Sequence, residues 1–175
     1  MSPSKQAATA FLALGSNLGD RSARMAQAAE RLNRASGTRV KAVSSLYSTA
    51  PVGLPGAPEF LNAALEVRTR MDPESLLDLC LSIEGELGRV RTGAMSSRTI
   101  DVDILLFDDL RVPGPRLCLP HPRMKERAFV LVPLAEIAPG LLLDGRTISD
   151  WAAGADGAGV HRLDGTPGWP PSLDL

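Results

Sequence analysis

Aromatic side chains are scarce: four Phe, two Trp and one Tyr make up 4% of the 175 residues. A sheet that reads single-stranded RNA stacks bases on exposed aromatics, so this scarcity, with no ribonucleoprotein motif beside it, argues against an RNA-binding module. Cysteine is rarer still. Cys80 and Cys118 have neither metal-ligand spacing nor a pairing pattern, which excludes a disulfide-stapled secreted scaffold. No apolar run approaches bilayer-spanning length and the first residues lack an apolar signal segment, so a cytoplasmic protein without a membrane partner is expected. A net charge of −1 supplies no global field for nucleic acid.

What is present is enough apolar material, 44% of residues, for one domain with a real core. Residues 9–14 are a short apolar strand ending at Gly15-Ser16-Asn17-Leu18-Gly19. Asp20 can then cap a helix in which Met25, Ala28, Ala29, Leu32 and Ala35 recur at helical spacing. A strand is expected over 40–47, a Pro- and Gly-rich loop over 51–58 and an alternating strand over 60–70. Asp72-Pro73-Glu74 starts a helix with Leu76, Leu77, Cys80, Ile83 and Leu87 as its core stripe, and Gly88 stops it. A polar segment, 89–97, leads into a strand that runs to residue 107. Beyond it come a return strand over 110–119, broken by prolines, and a helix over 126–137, kinked at Pro133. The order β-α-β-β-α-β is the split βαβ arrangement. The expected fold is therefore α+β and ferredoxin-like, a largely antiparallel sheet with helices packed on one face. Residues 151–175 read as a tail of unknown role, either draped over the body or partly disordered.

Asp101-Val102-Asp103 stands out within the aliphatic run Ile100 to Phe107. Side chains alternate along a strand, so the two carboxylates face one way, roughly 7 Å apart. Taken alone, the pattern is the wet face of an edge strand. It also suits Mg²⁺, which is commonly held by one or two carboxylates plus substrate phosphates. The surroundings favour the second reading. Residues 89–127 carry eight Lys/Arg against five Asp/Glu, with His121 among them. Arg89, Arg91 and Arg98 precede the pair; Arg116, His121 and Arg127 follow it. Guanidinium forks grip phosphate oxygens bidentately, so the set points to phosphoryl-type transfer from a nucleotide. Gly15-Ser16-Asn17-Leu18-Gly19 lacks the Gly-Lys-Ser/Thr of a Walker A loop and reads as a tight turn.

Six segments carry a closer resemblance: 13–20, 44–53, 60–64, Gly88-Arg89-Val90-Arg91, Arg98-Thr99-Ile100-Asp101-Val102-Asp103 and Pro120-His121-Pro122-Arg123-Met124. Together they resemble the 6-hydroxymethyl-7,8-dihydropterin pyrophosphokinase family of folate biosynthesis over roughly residues 10–139. The resemblance implies one pyrophosphokinase domain over 8–150. It would transfer the β,γ-pyrophosphoryl group of ATP to the pterin hydroxymethyl oxygen and release AMP. It further implies that Asp101 and Asp103 bind two Mg²⁺ ions and form the catalytic set with Arg91, Arg98 and His121. Arg91, Arg98, His121 and Arg127 would contact the triphosphate with Arg89 and Arg116 nearby, Glu84 would lie near the adenosine, and Ile104 would line the adenine pocket. Asn62 would read the pterin edge, Phe60 and Phe129 would sandwich the ring, and Thr49, Ala50 and Val52 would complete the pocket. The partners implied are ATP as co-substrate and the pterin, bound by a monomer.

One stretch departs from the family pattern. Relatives usually carry Arg-Trp-Gly-Pro-Arg before the aspartate strand, whereas this chain has Ala94-Met95-Ser96-Ser97-Arg98. The tryptophan and first arginine belong to a segment that closes over the substrates, so altered closure and slower turnover are expected. A weak or inactive relative that only binds nucleotide or pterin is the alternative.

Overall fold

The first apolar run becomes β1 (Ala8–Ser16), and Asp20 caps α1 (Arg21–Arg34) by accepting the Ala23 N–H at 3.2 Å. Next come β2 (Thr38–Val43), β3 (Leu46–Thr49) and β4 (Phe60–Thr69). In α2 (Pro73–Glu86), Asp72 accepts the Ser75 N–H at 2.8 Å and Pro73 opens the first turn. β5 (Asp101–Phe107) carries the two aspartates. The chain then forms β6 (Val112–Pro113), β7 (Cys118–Leu119), α3 (Ala128–Ile137), β8 (Leu142–Leu143), β9 (Arg146–Thr147), α4 (Ile148–Gly154) and β10 (Val160–Leu163). This computed structural model describes residues 6–51, 53, 55–89 and 99–175.

Among the described residues, six strands build one sheet in the order β10-β3-β4-β1-β5, with β2 also beside β4, and every pairing in it is antiparallel. The long strand β4 explains the arrangement. Its first three residues pair with β3 and its last five with β2, so these two lie along one edge of it. The single strand expected over 40–47 is thus interrupted at Ser44-Ser45. The Ser44 hydroxyl accepts the Ala64 N–H at 2.8 Å, and the Ser45 N–H turns to Glu136 at 3.0 Å. Side chains take over the hydrogen bonds that a continuous ladder would make.

Other expectations change in detail. The return strand over 110–119 reduces to the two-residue pair β6 and β7. The helix expected from 126 begins at Ala128, behind a 3₁₀ turn at Met124–Glu126, and contains Pro133. Of the two readings of residues 151–175, the structure shows the draped one. β10 pairs with β3 at the sheet edge, and the Trp169 indole N–H donates to the Ser44 carbonyl at 2.9 Å.

Helices cover both faces of the sheet, where packing on one face was expected. Leu12, Leu14, Val102 and Ile104 pack against Met25, Leu32, Leu76 and Cys80 of α1 and α2. Phe11, Ala64, Leu105 and Leu106 face the other way, against Val130 and Leu134 of α3 and Ile148 of α4. This alternation divides each strand between two cores and puts the odd-numbered positions of β1 on the α3 side. Among the described residues, no helix is long and apolar enough to cross a membrane.

Candidate active site

Strand register brings distant candidates into adjacent rows. Tyr47, Asn62, Gly15 and Asp101 are successive cross-strand partners, and so form one row across β3, β4, β1 and β5. Thr49 and Phe60 make the row on one side; Ala64, Ala13 and Asp103 make the row on the other. Directly paired residues share a sheet face, so Thr49, Phe60, Asn62, Asp101 and Asp103 all point the same way. Asn62 and Asp101 are two strands apart, about 10 Å between backbones. Between them stands Gly15, and Ala13 occupies the next row. These small residues leave a shallow floor between an amide and two carboxylates. A Cβ added to Gly15 would lie 3.5 Å from Asn62 Oδ1, ordinary contact, so alanine fits there and anything longer enters the gap.

β5 is the sheet edge beside α2, and its exposed backbone is capped by a side chain. Glu84, only 2% exposed, accepts the Val102 N–H at 2.8 Å. The same oxygen meets Arg89 Nη1 at 2.7 Å, and that nitrogen also donates to Asp101 Oδ1 at 2.5 Å. Glu84 and Arg89 therefore brace the aspartate strand from behind. A buried carboxylate is tolerated there because it is both paired and hydrogen-bonded. Burial, reinforced by the Asp101 and Glu84 charges, pushes the Asp103 carboxyl up to about 7, although Arg127 and Arg89 oppose the rise.

His121 reaches the same strand through its backbone, donating its N–H to the Leu105 carbonyl at 2.8 Å. Its Nδ1 accepts the Arg123 N–H at 3.2 Å. Burial and the Arg127 charge hold the imidazole below its usual range, with Asp101 pulling the other way. A neutral ring with Nδ1 so engaged carries its proton on Nε2. Arg127 stands over the Phe129 ring, 5.6 Å from its centre. Arg116, half-exposed, ties the β6–β7 region to α2 through Glu74, at 2.5 Å, and Asp78.

Among the pterin candidates, Asn62 is buried and donates its amide N–H to Thr49 Oγ1 at 2.8 Å. Phe60 is half-buried at the start of β4, and Phe129 packs against the cluster that contains Ala64. Ala50 is exposed just after β3. Ile104 is 3% exposed and lies among the side chains beneath α1 and α2, on the face opposite the aspartates. Val52, Arg91, Arg98 and the segment 94–97 lie outside the described residues. Sequence reading missed Gly15 and Ala13 as the floor and Glu84 as a brace. The signal for Gly15 was available: glycine within a strand often marks a close approach.

Among the described residues, no group of three or more His, Cys, Asp or Glu is arranged to hold an ion. Asp101 and Asp103 offer a pair of carboxylates on one face. That donor set fits a divalent cation whose remaining positions are filled by phosphate oxygens and water. A cation would also offset the burial and the Asp101 and Glu84 charges that raise the Asp103 carboxyl. Two cavities, of about 170 Å³ beside Glu136 and Trp169 and about 670 Å³ beside Phe11 and Leu142, include neither aspartate.

Comparison with known proteins identifies the family. The family model described as 7,8-dihydro-6-hydroxymethylpterin-pyrophosphokinase (HPPK) matches residues 11–139. A 2-amino-4-hydroxy-6-hydroxymethyldihydropteridine pyrophosphokinase of Methylorubrum extorquens is 47% identical over 155 residues, covering 89% of this chain and 98% of its own length. Its namesake in Bacillus subtilis is 48% identical over 128 residues, covering 73% of this chain and 77% of its own. Among solved structures, an HPPK-DHPS in complex with substrates superposes with a TM-score of 0.69 at 15% identity. That match covers 85% of this chain but 43% of the other, and it bears on the fold.

Proposed function

The chain belongs to the 7,8-dihydro-6-hydroxymethylpterin-pyrophosphokinase family, and from that premise we propose how its residues perform the family's reaction. It transfers the pyrophosphoryl group of ATP to 6-hydroxymethyl-7,8-dihydropterin in folate biosynthesis. The bond broken joins the β-phosphorus to the oxygen that bridges it to the α-phosphorus. The pterin hydroxymethyl oxygen bonds to the β-phosphorus, its proton leaves, and AMP departs with the bridging oxygen.

Asp101 and Asp103 would hold two Mg²⁺ ions against the triphosphate. Such ions supply charge neutralisation and a lower pKa for the attacking hydroxyl. The protein's own groups do the positioning. Arg89, pinned between Glu84 and Asp101, fixes one carboxylate of the pair. His121 offers a neutral Nε2–H donor to a phosphate oxygen, and Arg127 adds a cation next to it. Arg91 and Arg98 belong to the same phosphate set by family resemblance. Asn62, oriented by its bond to Thr49, presents its amide to the polar edge of the pterin, whose ring would lie between Phe60 and Phe129. The Gly15 and Ala13 floor leaves room for the hydroxymethyl group to approach the β-phosphorus. Proximity and preorganised charge then carry most of the rate enhancement.

The observation that carries this reading is the row of Asn62, Gly15 and Asp101, which sets a pterin-type donor and acceptor opposite a metal-type carboxylate. The test is direct. Purified protein is incubated with ATP, Mg²⁺ and hydroxymethyl-dihydropterin, and the nucleotide products are separated. AMP formed only with both substrates supports the reading; ADP would mean γ-phosphoryl transfer and overturn it. The altered stretch 94–97 favours slower turnover than in relatives that carry Arg-Trp-Gly-Pro. A protein that binds both substrates without forming AMP would be the binding-module alternative.

A further inference from the structure

α3 carries two residues seven apart, Phe129 near its start and Glu136 near its end, which helical geometry places on one side, two turns or about 10 Å from each other. Phe129 belongs to the proposed pterin pocket. Glu136 touches a different part of the molecule. Its Oε2 accepts the Tyr47 hydroxyl at 2.6 Å, and its Oε1 accepts the Ser45 N–H at 3.0 Å and the Ser45 hydroxyl at 2.9 Å.

Those partners lie in and just before β3, which forms the opposite wall. Tyr47 is the cross-strand neighbour of Asn62, and Thr49, two residues on, accepts the Asn62 amide at 2.8 Å. Ser45 stands at the break between β2 and β3, where a strand is least constrained by its ladder. The Trp169 indole, bonded to the Ser44 carbonyl, and β10, paired along β3, hold the other side of the same strand. Burial and the Glu136 carboxylate push the Tyr47 phenol up to about 12, so it remains a donor throughout the neutral range. Burial works against the Glu136 charge, but the bonds from Tyr47 and Ser45 prevail and hold its carboxyl below the usual range.

We infer that Glu136, Tyr47 and Ser45 form a buckle that sets the position of α3 against β3, and thereby the spacing of Phe129 from Asn62 and Thr49 on which pterin affinity depends. The three are positioning residues; none touches the substrates. The inference rests on the pterin assignment made above. Slipping α3 along β3 moves one wall of the pocket relative to the other and leaves the Asp101 and Asp103 strand, braced by α2, where it was. Arg127, which directly precedes α3, is the proposed ATP contact tied to this helix, so pterin binding suffers much more than ATP binding.

Tyr47→Phe and Glu136→Gln separate this from a general loss of stability. Each removes or weakens the buckle while keeping the volume of the side chain. Steady-state kinetics with both substrates should show KM for the pterin rising roughly tenfold while KM for ATP stays within about twofold. The double variant should be little worse than the worse single one, because both act on one bond. Ser45→Ala, which removes one hydroxyl bond and keeps the backbone one, should fall between wild type and Glu136→Gln. Equal rises in both KM values, a change in thermal midpoint without any change in pterin KM, or additive losses would overturn the buckle. Wild-type protein run alongside keeps the two claims apart: absence of AMP from the wild type refutes the pterin assignment, whereas normal wild-type turnover with unselective variants refutes the buckle alone.

Discussion

The central sheet has two faces made by the same strands, and they differ in what covers them. On one face, Leu12, Leu14, Val102 and Ile104 lie beneath α1 and α2 with exposures of 3% or less. On the other, Gly15, Ala13, Asn62, Asp101 and Asp103 stand one residue out of phase with them. α3 covers only part of this face. The difference shows how a single strand can serve a core and a site at once: alternation sends Val102 into the apolar layer and its neighbours Asp101 and Asp103 to the ligand side. The edge of β5 is where the two meet, and Glu84 closes it by accepting the Val102 N–H.

The largest effect should come from exchanging the roles of these faces by substitution. Asp101→Ala or Asp103→Ala should lower kcat by at least about a thousandfold with an unchanged circular-dichroism spectrum, the range expected when transition-state charge loses its stabilisation. Ile104→Ala, on the same strand but the opposite face, should cost about 2–5 kcal/mol of unfolding free energy. Activity per folded molecule should remain near wild type. If Ile104→Ala instead impaired ATP binding selectively, the adenine-pocket role carried over from the family would hold against its position in the core.

Next in size is the floor. Gly15→Ala should be tolerated, whereas Gly15→Leu should reduce kcat/KM by about a hundredfold by filling the gap between Asn62 and Asp101. Comparable activity for the two variants would contradict the row geometry.

The faces also differ in charge, and pH can read that difference. With the Asp103 carboxyl up to about 7, a divalent cation must compete with a proton. Mg²⁺ affinity, followed by calorimetry with a nonhydrolysable ATP analogue, should fall by up to about tenfold per unit below pH 7. For stability the sign is opposite to that of a salt-bridged carboxylate. An unfolded aspartate titrates near 3.9, so over roughly pH 4–7 the folded chain keeps a proton that the unfolded chain has lost. This group's contribution is therefore greatest at the acid end and declines as pH rises through about 7; saturating Mg²⁺ should offset the decline. Glu84→Gln removes a charge that raises Asp103 and should move both profiles toward lower pH.

The smallest effect should come from the segment ahead of β5. Replacing Ala94-Met95-Ser96-Ser97 with Arg-Trp-Gly-Pro should lower KM for ATP and pterin by about threefold if closure is what that stretch controls. Unchanged KM values would remove it from the account.

Much of this was legible in the chain. Period-two alternation placed Asp101 and Asp103 on one face, and Asp20 and Asp72 marked both early helices by a local bond two or three residues away. The unread parts depend on long-range partners. Ser45 turns from the ladder because of Glu136, ninety-one positions on, and β10 has only four residues, too few for a period, with its partner far back at β3. Glu84 adjoins the apolar stripe of α2, and only its approach to Val102 distinguishes a brace from a ligand contact. Arg116 lies close to the aspartates in sequence, and its ion pairs with the acids of α2 are visible only in the fold.

Metal stoichiometry tests the central claim most directly. Mn²⁺ binding by electron paramagnetic resonance, with a nonhydrolysable ATP analogue present, should give two ions per wild-type chain and two for Val102→Ala, but at most one for Asp101→Asn or Asp103→Asn. Two tightly bound ions in either aspartate variant would contradict the assignment of the metal seat to the open face of β5.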